Sequence, residues 1–152
     1  MNDERSELLC GIDPGRDKFG LALAAGETLH LSAIFATDEA DFALACIERA
    51  DWSALASRAI EGEGVPEGAS RTRICLGDGT CHDLFAEKLR ARSILFETVD
   101  EKMTTLQARA LYWHLHPPRG IWRLVPLSLC VPPRPVDDLA AWAIARRAQE
   151  KA

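Results

Sequence analysis

The stretch "LLCGIDPGRDKFGLAL", residues 8–23, decides the fold. An apolar run ends on a carboxylate, Asp13, breaks at Pro14 and Gly15, and resumes as a second apolar run from Phe19. Two such runs joined by a short proline and glycine turn describe two neighbouring strands. After Gly26, "TLHLSAIFA" (28–36) adds a third, so the chain opens as an antiparallel meander. Within it Leu29, Leu31, Ala33 and Phe35 alternate with His30, Ser32 and Ile34, which predicts one buried face and one wetter face.

Downstream the pattern changes to alternating helix and strand. Thr37, Asp38 and Glu39 open an alanine-rich helical stretch reaching Ile60, restarted as a second helix at Asp51. A glycine-rich surface loop (61–71) separates it from "TRICLGDGT", a strand ending in glycines, and a helix from about Thr80 to Arg92. "SILFETVDE" reads as the next strand. In "TTLQARALYWHL", Thr104 and Gln107 have the spacing of a capping box, and Pro117-Pro118 ends that helix. Residues 117–135 are proline-rich and irregular, and a last helix begins near Pro135 and runs to about Gln149. A meander followed by alternating strands and helices predicts an α/β fold: a mixed sheet, antiparallel in its first part and parallel in its second, with helices on both faces. The chain of 152 residues, 47% hydrophobic, reads as a single domain spanning 1–152.

No stretch approaches the roughly 20 apolar residues of a membrane span, and the acidic start "MNDERSE" is unlike a signal peptide. The expected compartment is the cytoplasm, with no membrane partner. Five cysteines without zinc spacing read as buried free thiols. The net charge of -5 hides an uneven distribution: residues 1–50 hold ten acidic and four basic side chains, whereas Lys102, Arg109, Arg119, Arg123 and Arg134 share residues 102–136 with no acid. A basic face of this kind on an acidic protein is what phosphate binding needs.

The acids gather at strand ends. If the first, fourth and fifth strands lie side by side, their carboxyl ends bring Asp13, Asp78 and the pair Asp100-Glu101 to one sheet edge, where open α/β sheets bind ligands. The final helix opens with Asp137-Asp138 and approaches the same edge. Each acid alone has a simpler role in a turn or a first helical turn. Together they suit hard divalent cations, Mg²⁺ or Mn²⁺, and two such ions roughly 4 Å apart activate water against a phosphodiester bond. Without metal, repulsion within the group raises at least one pKa. Arg16 and Lys18, in the turn after Asp13, are either phosphate contacts or solvated turn charges, and Trp122, flanked by Arg119 and Arg123, is either a core aromatic or a platform for a base. Trp52, Trp113 and Trp142 read as core.

"GIDPGRDKFGLAL", "TVDEKMTTLQARALYW" and "PVDDLAAWAIARRAQ" resemble, in order and spacing, the segments of the YqgF/RuvX family of RNase H-like nucleases, relatives of the RuvC Holliday junction resolvases. The resemblance covers nearly the whole chain. It implies a ribonuclease H-like fold, a five-stranded sheet, and a metal-dependent endonuclease for structured RNA (pre-16S ribosomal RNA processing) or branched DNA. It carries the metal-holding, catalytic carboxylates onto Asp13, Glu101 and Asp137. Strand alternation lets one of Asp100 and Glu101 join the cluster unless the strand has ended, and Glu101 has the longer reach. Asp137, on a stripe with Ala141 and Ile144, is expected to project from the buried helix face, with Asp138 about 100° round. The expected nucleic-acid contacts are Arg16, Lys18, Lys102, Arg119, Arg123 and Arg134. Lys102 stands where the family usually has arginine, and "LGDGT" replaces its apolar turn, leaving Asp78 as a fourth ligand or a turn former. The other reading is a non-catalytic RNase H-like module that binds nucleic acid.

Overall fold

The computed structural model describes residues 7–69 and 72–151. Strands β1 (Leu8–Asp13), β2 (Lys18–Ala25) and β3 (Thr28–Ala36) form the meander. β4 (Thr72–Gly77) pairs in parallel with β1, and β5 (Phe96–Val99) in parallel with β4, giving the sheet order β3-β2-β1-β4-β5. The carboxyl ends of β1, β4 and β5 therefore share one edge. Helices α1 (Ala40–Glu48), α2 (Trp52–Ala56) and α3 (His82–Ala91) cover one face of the sheet. The other face carries α4 (Thr104–Leu115) and α5 (Asp137–Glu150). The fold is α/β, a mixed five-stranded sheet with helices on both faces.

Alternation along the strands sorts the side chains between the two faces. Phe19 and Phe35 stack at 5.4 Å beneath α1 to α3, with Phe85 of α3 edge-on to Phe19 at 4.9 Å. On the opposite face the contacts are closer and smaller. A methyl group at Gly11 would overlap the carbonyl of Ala141, and one at Gly20 the carbonyl of Asp137, so α5 lies almost backbone to backbone on β1 and β2. Gly20 is also the partner of Asp13 in the β1–β2 ladder. The first turn of α5 is thereby delivered to the end of β1.

Several local expectations change. A bulge between Leu23 and Ala24 shifts the β2–β3 register, so Leu31 faces Leu23 while Leu29 faces Ala24 and packs beneath α4 and α5, away from Leu31, Ala33 and Phe35. α2 stops at Ala56, well short of Ile60, although Asp51 does start it by accepting from the Ala54 amide at 3.2 Å. Thr104 makes no capping box: the residue before α4 is Met103, left-handed at φ 71°, and the Thr104 hydroxyl donates to the Glu101 carbonyl at 2.8 Å. The last helix starts at Asp137, two residues after Pro135. All five cysteines are free, four of them buried. Among the described residues no helix is long and apolar enough to cross a membrane.

Candidate metal centre

Asp13 is the last residue of β1, and the turn after it is tied to the end of β3: the Thr37 hydroxyl donates to the Gly15 carbonyl at 2.9 Å and the Thr37 amide to the Asp17 carbonyl at 2.9 Å. β5 ends at Val99, so alternation no longer governs Asp100 and Glu101. Hydrogen bonds take over. The Asp78 amide donates to the Val99 carbonyl at 3.0 Å, and the exposed Asp78 carboxylate accepts from the Glu101 amide at 2.9 Å. Asp78 is thus the turn former that aims Glu101. Gly77 and Gly79 complete the cradle, because a Cβ at either would overlap the Glu101 carboxylate.

The Asp13 and Glu101 carboxyls are neighbours, and each bears on the other's titration. Two like carboxyls brought together this way favour holding a proton on one of them. Burial, then the neighbouring Glu101 carboxyl, then the charge of Asp137, push Asp13 up to about 8. Burial and the Asp78 charge also raise Glu101. Glu101 Oε1 is buried with no hydrogen-bond partner. The pair is short of positive charge, and its buried oxygen is short of a partner.

Asp137 flanks this pair without touching it as a ligand would. Its Oδ2 lies 3.1 Å from Lys18 Nζ, so an ammonium already neutralises it. Among the described residues no three acidic, histidine or cysteine side chains stand at metal-ligating spacing. The donor set nevertheless suits Mg²⁺ or Mn²⁺. It is all carboxylate oxygen, and the orphaned Oε1 sits in a cradle that excludes other side chains.

One expectation about neighbouring residues is corrected. Asp138, not Asp137, occupies the buried face of α5: it is fully buried and accepts from the Ser32 hydroxyl at 2.6 Å and from Arg134 at 2.8 Å. The reason is the close approach at Gly20, which takes the backbone of Asp137 and leaves its side chain half-exposed. Arg134, expected among the nucleic-acid contacts, is already engaged within the fold. Its guanidinium binds Asp138 and Glu61 (2.9 Å) and lies over the Tyr112 ring, and Glu61 also bonds His116 at 2.6 Å. These partners hold Glu61 low against the burial that opposes them. Nothing in the sequence signals this network, since it joins three distant segments.

Lys18 is engaged with Asp137, whereas Arg16, Lys102, Arg119 and Arg123 are exposed and make no ion pair among the described residues. Trp142 is buried and Trp52 and Trp113 partly so. Trp122 is 61% exposed, which removes the core reading for it.

No protein-family model matches the chain, and no curated protein matches it. Among solved structures it is similar to Thermus thermophilus RuvC, at 17% sequence identity over 91% of this chain and 90% of that one, with a TM-score of 0.40.

Proposed function

We propose that the protein is a divalent-metal-dependent endonuclease of the YqgF/RuvX type acting on structured nucleic acid, either precursor 16S ribosomal RNA or branched DNA. The observation that carries this reading is the Asp13–Glu101 pair: two neighbouring carboxyls at a sheet edge, with a buried Glu101 oxygen left without a partner. A structural acid pair has its charge matched by the fold, and this one does not.

Asp13, Glu101 and Asp137 would hold Mg²⁺ or Mn²⁺. Such an ion, when bound, acidifies water and stabilises the oxygens of a phosphodiester undergoing displacement. The chain supplies the rest. Asp13 would hold the ion as an ionised carboxylate, and the Gly77 and Gly79 cradle fixes the Glu101 carboxylate. Arg16 and Lys102, next in sequence to the turns that carry Asp13 and Glu101, attract the phosphates. Lys102 does so as a point charge, without the fork of an arginine.

The other reading, a non-catalytic module that binds nucleic acid, draws on the ion pair between Lys18 and Asp137, which already neutralises the third acid. One experiment separates the two. Melting curves with and without Mn²⁺ are compared for the parent and Asp13→Asn, alongside a nuclease assay on branched DNA and precursor RNA. The endonuclease reading expects Mn²⁺ to raise the parent melting temperature, and the asparagine variant to lose both that rise and cleavage. A parent that neither responds to Mn²⁺ nor cuts is the module.

A further inference from the structure

Among the described residues, exposed apolar side chains are concentrated on the segment between α4 and α5. Ile121, Trp122, Leu124, Leu127, Leu129 and Val131 all lie open to solvent, Leu124 to 86%. Single exposed apolar residues are ordinary, but six within eleven positions form a patch that marks an interaction.

The exposure is imposed by a frame. Gly120–Leu124 and Leu127–Leu129 are tight helical turns. The Val125 amide donates to the Trp122 carbonyl at 3.2 Å and the Cys130 amide to the Leu127 carbonyl at 3.1 Å. At its far end the segment is fixed by Trp113 Nε1, which donates to the Cys130 carbonyl at 3.1 Å, and by Arg134 on Asp138 and Glu61. It then runs directly into Asp137, the first residue of α5.

Charge selects the occupant. Residues 103–136 contain no acid, and Arg119 and Arg123 border the apolar side chains. A second copy of the same patch would set like guanidinium charges against one another across a two-fold axis. A polyanion with apolar faces fits. Bases offer such faces only where they are unstacked, because a continuous duplex shows the protein its phosphates and closed base edges. We propose that this segment is an apolar wedge for nucleic acid with interrupted base stacking: Trp122 stacks on an unpaired base, the aliphatic residues enter the opened step, and Arg119 and Arg123 hold the flanking phosphates. The inference rests on the nucleic-acid substrate proposed above and adds the segment of this chain that reads its interrupted stacking.

The test is fluorescence anisotropy in EDTA, with a labelled duplex carrying a central unpaired bulge and the same duplex without it, each made as DNA and as RNA. The parent is expected to prefer the bulged probe. Trp122→Ala should weaken bulge binding by about tenfold and leave the continuous duplex nearly unchanged. Arg119→Ala with Arg123→Ala should weaken both and lower the salt slope by about two, one for each phosphate contact. Equal losses on both probes with Trp122→Ala, or no loss on either, overturn the wedge. So does a parent that sediments as a dimer split by Leu124→Ser, because the patch is then a self-interface. The two proposals fail separately. Bulge preference without cleavage removes the nuclease and keeps the wedge, and cleavage without bulge preference does the reverse.

Discussion

Two buried acid groups meet around the first turn of α5, and they are built in opposite ways. Asp138 is surrounded by donors: Ser32 and Arg134 satisfy both its oxygens, and Arg134 is in turn held by Glu61. Asp13 and Glu101 have chiefly each other, and an oxygen facing nothing. A satisfied charge is part of the architecture, and an unsatisfied one is kept for a ligand. Substitutions at the two places should therefore change stability in opposite directions.

The largest effect is expected at the satisfied site. Asp138→Ala leaves the Arg134 guanidinium without its buried partner and should cost about 3–5 kcal/mol of stability, read from urea denaturation. A loss below about 1 kcal/mol would place Asp138 with ordinary surface acids. Next comes the unsatisfied site. Asp13 titrates at about 8 in the folded chain, far above its unfolded value near 3.9, so the native state holds a proton that the unfolded state has released. The metal-free protein should thus lose stability as pH rises from about 4 towards 8. Asp13→Asn removes that slope. Melting curves of both proteins in EDTA should nearly coincide at pH 5 and show the variant higher at pH 8, and parallel curves would break the contrast.

Smaller effects sharpen it. Gly77→Ala displaces the Glu101 carboxylate, a movable group, and should leave the metal-free melting temperature within a few degrees while removing the rise caused by Mn²⁺. An unchanged rise would mean the cradle plays no part. Calorimetry of Mn²⁺ binding at pH 7 in two buffers of different ionisation enthalpy should report release of about one proton, the one held by the raised Asp13 carboxyl. Identical heats in both buffers would show that the pair was already ionised.

The architecture was legible in the sequence because it rests on local signals. Alternating apolar runs, a proline and glycine turn and helical spacing place every strand and its neighbours. The site was half legible. Acids at strand ends announce the edge, but the choice of Glu101 over Asp100 does not follow from pleating, since β5 has stopped at Val99 and the Asp78 brace sets the direction. Asp137 and Asp138 exchanged roles because the determinant is backbone contact at Gly20, which helical periodicity does not contain. The engagement of Arg134 is hidden for a similar reason. Its partners Glu61 and Asp138 come from segments 73 and 4 positions away, and only the packed fold brings them together. The exposure of Trp122 was equally hidden, since an apolar residue in an irregular stretch carries no periodicity to place it.

Lys18 has a further consequence. Its ammonium is a monovalent counterion on a tether, present at Asp137 at an effective concentration that the medium does not control. Whatever draws it away lowers the cost of seating a divalent cation beside Asp137, and a phosphate is such an attractor. By thermodynamic reciprocity the cation then raises affinity for phosphate by the same factor. Mn²⁺ affinity measured with and without inorganic phosphate should therefore rise in the parent and stay flat in Lys18→Met. In that arrangement one lysine would couple the loading of metal to the arrival of a phosphate.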